Sequence, residues 1–302
     1  MVQKKKMGDY VFYTVTITII CLFLLTIIYP FLNSFAISLN DAKDTAKGGL
    51  TIFPRKFTFS NYVRVFKNPK VYQAYFITFA RTVVGTLLGF LFTATLAYGL
   101  SNKKLMGRKF YTMICLIPMY FSGGIIPTYF LMQSLHLTNS FWVYIFPNLV
   151  GLWNMILMRT YFSQLPEAME ESARIDGANY FTVFFKIILP VSGTIIATIV
   201  LYISVFQWNS WFDASIYINN KDELKPLQSI LMQIVNEAKY AETMAQQGMS
   251  ADQIAAAGAG KDTNVRSITM ATMIITILPI VITYPFLQKY FIQGVMIGSV
   301  KG

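Results

Sequence analysis

The side chains best equipped for chemistry crowd into "PEAMEESARIDG", residues 166–177, where Glu167, Glu170, Glu171 and Asp176 stand beside Arg174 in an otherwise apolar chain. No nucleophile–base arrangement, catalytic carboxylate pair or metal cluster accompanies them, so no catalytic residue is nominated and the chain is not read as an enzyme. The chemistry open to these charges is that of a contact face. Ala168, Ser172 and Ala173 are small, which permits close approach by a partner. An amphipathic surface loop without a docking role has the same pattern. A second group, "FQWNSWFDAS" at 206–215, offers Gln207, Trp208, Asn209, Trp211 and Asp213. Aromatic faces suit the C–H surfaces of sugars, and amides and hydroxyls meet sugar hydroxyls. Tryptophan is also at home at a membrane interface, which is the competing account.

The chain that must position these groups has 302 residues, of which 55% are hydrophobic and 13% charged, too apolar for a single water-soluble core. It reads as an all-α integral membrane protein lying in a lipid bilayer. The net charge of +11 is spread between apolar runs instead of forming a stripe, which suits loops against anionic headgroups and argues against nucleic acid. Cys21 and Cys115 lie far apart in apolar runs, and His136 has no cysteine or carboxylate at ligand spacing. No metal or bound cofactor is expected of this chain.

A helix needs about 20 apolar residues to cross a hydrocarbon layer about 30 Å thick. Six runs meet that length, at roughly 12–34, 74–100, 110–133, 140–160, 184–207 and 268–290. "SNKKLMGRK" between the second and third carries four basic residues and no acid, which places that connection in the cytoplasm, and with it both termini, 1–11 and 294–302. The connection 161–183 is then cytoplasmic and 208–267 extracytoplasmic. Residues 41–70, assigned to the outer side, hold seven lysines and arginines and weigh against this orientation. The alanine- and glutamine-rich part of the outer loop reads as a mobile helix or disorder. Its "GAGKDT" lacks the glycine and the serine or threonine of a phosphate loop.

Helix punctuation divides the charged stretch. Pro166 suits a first turn, Glu167 favours the positive end of the helix dipole, and Gly177 suits a left-handed stop. A second helix starts near Asn179 and passes Pro190 into the fifth span. In the third span Pro118, Gly123, Gly124 and Pro127 predict a kink or local unwinding. Tyr120 and Ser122 border a substrate pathway if that irregular backbone lines water, and are purely structural if it does not. Gly85 and Gly89 form a small-xxx-small pattern for close helix packing.

Glu171, Ser172 and Ala173, then Gly177 after three residues, Ile187 after nine more, Leu189 and Pro190 resemble the glutamate-alanine-alanine loop of permease subunits in binding-protein-dependent ABC importers. Ser172 replaces the first alanine. "FTFSNYVRVFKN", "IPMYFSGGIIPTYFL", "QWNSWFDA" and "PFLQKYFIQGVMIGSVKG" resemble the maltose-type carbohydrate permeases, in particular the branch importing oligosaccharides and polysaccharide fragments, over residues 10 to the end. The resemblance implies a type I importer permease fold of six transmembrane helices in a bacterial cytoplasmic membrane. It implies that 161–183 is a coupling loop docking in a separate ATPase through Glu167, Glu170, Glu171, Ser172, Ala173, Asp176, Gly177 and Pro190. Ser299, Val300, Lys301 and Gly302 would give that ATPase a second contact. Implied partners are a second homologous permease, two ATPase copies carrying ATP and Mg, an extracytoplasmic sugar-binding protein and an oligosaccharide.

An ion-coupled secondary transporter ordinarily holds its ion on an intramembrane carboxylate. None of the six runs contains aspartate or glutamate, and Arg81 lies close enough to the outer end of the second to snorkel. An external ATPase is therefore preferred over ion coupling as the energy source. An ABC importer permease for a non-sugar solute is a further alternative.

Overall fold

A computed structural model describes residues 7–249 and 265–299. The helices are α1 (Met7–Ser38), α2 (Ala42–Thr45), α3 (Ser60–Lys67), α4 (Pro69–Ser101), α5 (Arg108–Tyr120), α6 (Ile125–Ser134), α7 (Leu152–Phe162), α8 (Glu167–Ile175), α9 (Tyr180–Val183), α10 (Leu189–Val191), α11 (Gly193–Asn209), α12 (Phe212–Tyr217), α13 (Leu227–Gln246) and α14 (Val265–Ser299). Among the described residues there is no strand, only an isolated bridge between Asn40 and Phe57. Ser299 ends α14, whereas Val300, Lys301 and Gly302 lie outside the described residues.

Among the described residues three helices, Met7–Ser38, Pro69–Ser101 and Arg266–Pro285, are long and apolar enough to cross a membrane. Three more runs are bent pairs: Arg108–Tyr120 with Ile125–Ser134 at 115°, Phe141–Asn148 with Leu152–Phe162 at 45°, and Tyr180–Val191 with Gly193–Asn209 at 89°. The break after Tyr120 falls among the prolines and glycines that predict it, and Gly124 sits at φ 87°. The fifth run departs from a straight 184–207 helix. A π-turn at Phe184–Ile188 and Pro190, which has no N–H to donate, weaken the ladder before Ser192, so the straight segment begins at Gly193. Within the connection 208–267, α13 runs for 20 residues, and 250–264, with "GAGKDT", lie outside the described residues.

The described residues fall into two units, one drawn from 7–69 and 233–277 and the other from 70–232 and 278–299. In the first, α1 is exposed along almost its whole length, and Ala36, Ile37 and Ser38 alone are buried, at its end. The chain then folds around Asn40. Its amide donates to Asp44 Oδ2 and Thr45 Oγ1 and accepts from the Lys56 N–H, while Asn61 donates to the carbonyls of Ser38 and Asn40. Asp44 also accepts from Arg55 Nε at 2.9 Å. The Asn40 hydrogen bond and then Arg55 hold the Asp44 carboxyl below its ordinary pKa.

The second unit has two apolar clusters. One joins Ala94, Ala97 and Leu100 of α4 to Met155, Met158 and Phe162 of α7, to Val183, Phe184 and Ile188, and to Ile199 of α11. The other gathers Ile77, Met132, Val143, Ile145, Ala214 and Ile218. In lipid, packing of this kind rather than water exclusion drives helix association, and small residues let backbones approach. Gly85 shows the limit: a Cβ there would stand 2.6 Å from Gln207 Nε2. A Cβ on Gly89 would meet Ile203 at ordinary contact distance, so α11 comes closest to α4 at Gly85.

Candidate functional site

Pro166 lies one position ahead of its expected place, capping α8 at ψ 125°, and Glu167 begins the helix. At the far end Gly177 takes φ 83°. The N–H of Gly177 donates to the Arg174 carbonyl and that of Ala178 to the Ala173 carbonyl, a Schellman turn that only a residue tolerant of left-handed backbone closes cheaply. Asn179 caps α9 by accepting from the Thr182 N–H at 2.8 Å. The charged stretch is thus one short rod with defined stops.

The rod has two faces. Glu167, Ala168, Glu171, Ser172, Ile175, Asp176 and Gly177 are exposed, whereas Met169, Glu170, Ala173 and Arg174 are half-buried. Lys103 donates to Glu167 at 2.8 Å, and Lys104 lies 3.5 Å from Glu171. The hydrogen bond and the charge of Lys103 lower the Glu167 pKa. Between α8 and the loop after α4 lies a cavity of about 340 Å³, bordered by Ser101, Lys103, Lys104, Phe162, Glu170 and Arg174. Pro190 sits in α10, at the root of the rod's connection to α11.

The second centre forms around Arg81, which is 0% exposed instead of snorkelling. Nη2 donates to Asp213 Oδ2 at 2.6 Å and to Gln207 Oε1 at 3.1 Å; Nε donates to the same Gln207 oxygen; Nη1 donates to the Ser210 carbonyl and Asp213 Oδ1. The guanidinium lies 4.2 Å from the centre of the Tyr144 ring, and the Tyr144 hydroxyl donates to the Leu224 carbonyl. Gln207 and Asp213 are therefore held by Arg81, α4 being tied to the end of α11 and to α12. Trp208 is also buried, edge-on to Tyr75. Asn209 accepts from Gln228, and Trp211 is half-exposed with its carbonyl accepting from Ser229. Tyr120 and Ser122 stand exposed on another element, at the α5–α6 break, where Ser122 Oγ accepts from the Gly124 N–H.

Arg81, Tyr144, Lys103 and Lys104 were not nominated as site residues from the sequence. Arg81 carried a usable signal, since an arginine within an apolar span needs a counter-charge and Asp213 follows the fifth run closely. Among the described residues no group of three or more histidines, cysteines, aspartates or glutamates can hold a metal. His136 stands exposed in a turn at φ 56°.

Apolar and broken helices, with a short charged helix stopped by a glycine, give the described residues the build of a membrane transport permease. No protein-family model matches it. It is 34% identical, over 93% of its length and 95% of the relative's, to the polygalacturonan/rhamnogalacturonan transport system permease protein YtcP of Bacillus subtilis. It is 38% identical to protein LplC of the same organism, over 91% of this chain and 90% of that one. The crystal structure of a bacterial ABC transporter involved in the import of the acidic polysaccharide alginate contains a chain that superimposes with a TM-score of 0.82 at 27% identity, covering 96% of this chain and all of that one. The chain belongs to the permease subunits of sugar ABC transporters, and is an integral membrane protein.

Proposed function

We infer that this chain is one permease subunit of an ATP-driven importer that moves an oligosaccharide inward across a bacterial cytoplasmic membrane by alternating access. α8 is the coupling helix. Its exposed face, stopped by the Gly177 turn and joined through Pro190 to α11, is the observation that carries this reading. A separate ATPase, in two copies that bind ATP and Mg, receives Glu167, Glu171, Ser172 and the Gly177 turn in a surface cleft and pushes the rod when it closes. Glu170 belongs to the inward face, where it pairs with Arg174 of the same helix. A second homologous permease and an extracytoplasmic sugar-binding protein complete the assembly, with both termini of this chain in the cytoplasm. The substrates named for YtcP and for the alginate importer favour fragments of acidic polysaccharides as cargo, a class that suits a chain of net charge +11.

Asn209 and Trp211 are the pathway candidates with side chains nearest to free, along with Tyr120 and Ser122. Gln207 and Asp213 act on the pathway through Arg81. The test is copurification with Gly177→Val as the probe. The native chain should bring down a second permease and an ATPase whose hydrolysis rises when a loaded binding protein is added. Gly177→Val forces a β-branched residue to φ 83°, and should abolish uptake while the chain still inserts in the membrane. Undiminished uptake by that variant sinks the coupling role.

A further inference from the structure

Beneath α8 the polar bonding is incomplete. Tyr98, in the last turn of α4, stacks on Phe184 with ring centres 5.1 Å apart and meets Phe162 edge-on at 6.4 Å. Its hydroxyl is buried and has no partner within 3.5 Å, although Glu170 and Arg174 stand near enough to act on it both as charges and as incipient hydrogen-bond partners. Arg174 has the same defect. Its Nε is buried and unpartnered, its Nη2 reaches Glu170 Oε2 at 3.5 Å, the outer limit of a hydrogen bond, and the rest of the group leans on Tyr180. Six side-chain polar atoms among the described residues are buried without a partner, and two of them, Arg174 Nε of α8 and the Tyr98 hydroxyl, belong to side chains that face each other. Native proteins seldom leave such groups unpaired, and a cluster of them marks an arrangement that a small shift would improve.

We propose that Tyr98 is a positioning residue linking α8 to the long helix α4: when α8 is pushed toward that helix, the Tyr98 O–H donates to the Glu170 carboxylate, a bond unmade in the described arrangement. The proposal rests on the coupling reading of α8. A hydrogen bond present in one arrangement and absent in the other shifts their balance by its own free energy, and an ionised acceptor makes the bond stronger. α4 thereby learns the position of the rod through one hydroxyl, with the Phe162 and Phe184 rings keeping the tyrosine in place. Glu170, which the sequence groups with the partner-facing acids, has an inward task.

The test uses the whole complex in vesicles, with loaded binding protein, and compares Tyr98→Phe, Glu170→Leu, Glu170→Gln and the Tyr98→Phe/Glu170→Leu double variant. Tyr98→Phe should keep the ATPase attached and its unstimulated hydrolysis intact, while stimulation by loaded binding protein falls about tenfold, the scale of one hydrogen bond to a charged group. Glu170→Gln keeps an acceptor and should retain most stimulation. The double variant should be no worse than the poorer single one, because both remove the same bond. Full stimulation in Tyr98→Phe, or losses that multiply in the double variant, overturns the proposal. If Gly177→Val uncouples the complex while Tyr98→Phe does nothing, the Tyr98 link alone fails. If no ATPase accompanies the native chain, the coupling reading fails and takes the link with it.

Discussion

Arg81 and Arg174 both lie over a tyrosine ring, 4.2 Å from Tyr144 and 4.1 Å from Tyr180, and there the likeness ends. Arg81 is sealed from solvent and aims all three of its nitrogens at oxygens of Gln207, Ser210 and Asp213. Arg174 is 35% exposed, holds Glu170 at the edge of bonding distance and leaves its Nε unused. A charge taken out of water is tolerated only when fully paired, so the Arg81 centre has one acceptable arrangement. The Arg174 centre has slack. One molecule thus has a pinned end and a loose end, and the loose end carries the helix read as the receiver of mechanical work.

Removing one partner at the pinned end should have the largest effect. Arg81→Met strands Asp213 and Gln207, and should cost about 3–5 kcal/mol, read as a lower thermal unfolding midpoint of the detergent-purified chain. The Arg81→Met/Asp213→Leu double variant should recover much of that loss; no recovery would mean that the pair does more than balance charge. Gly85→Ala tests the same end by volume. Its new Cβ collides with the Gln207 side chain that accepts from Arg81, so a loss of about 1–3 kcal/mol is expected, against a negligible one for Gly99→Ala, where the space is open.

The smallest effect belongs to the exposed Lys103–Glu167 contact. The folded pKa of Glu167 is depressed, so its contribution is present at neutral pH and is lost as pH falls through that lowered pKa, below the ordinary glutamate range. Hydrogen exchange over 167–175, taken relative to the intrinsic rate at each pH, should be unchanged from neutral to mildly acidic pH and rise only beneath that window. Concentrated salt should also raise it, because the Debye length shrinks to about 3 Å at 1 M. A salt response as large at α12, which carries Asp213, as at α8 would erase the contrast between the two ends.

The rod was legible because its stops are local. Proline, glycine and asparagine act through their own backbone, and each lies within a residue of its expected place. The break after Tyr120 was legible for the same reason. Family membership was legible from spacing, and the relatives bear it out. Rotation about a helix axis was not legible. Whether Arg81 points to the outer surface or into the bundle depends on which side of α4 meets α11, and that is decided by the close approach of Gly85 to Gln207, a residue 126 positions from Arg81. The same blindness grouped Glu170 with Glu167 and Glu171, although α8 turns it inward. The 89° bend at Ser192 was hidden because proline near a helix start is compatible with a straight run as well as with a corner.

The knot around Asn40 has a chemical consequence of its own. Its amide nitrogen faces Asp44 Oδ2 at 3.1 Å, so loss of ammonia from that side chain, the commonest ageing reaction of asparagine, would set two carboxylates against each other where both residues are buried. Burial shields the amide while the knot is closed. The durability of this segment is therefore governed by how seldom it opens.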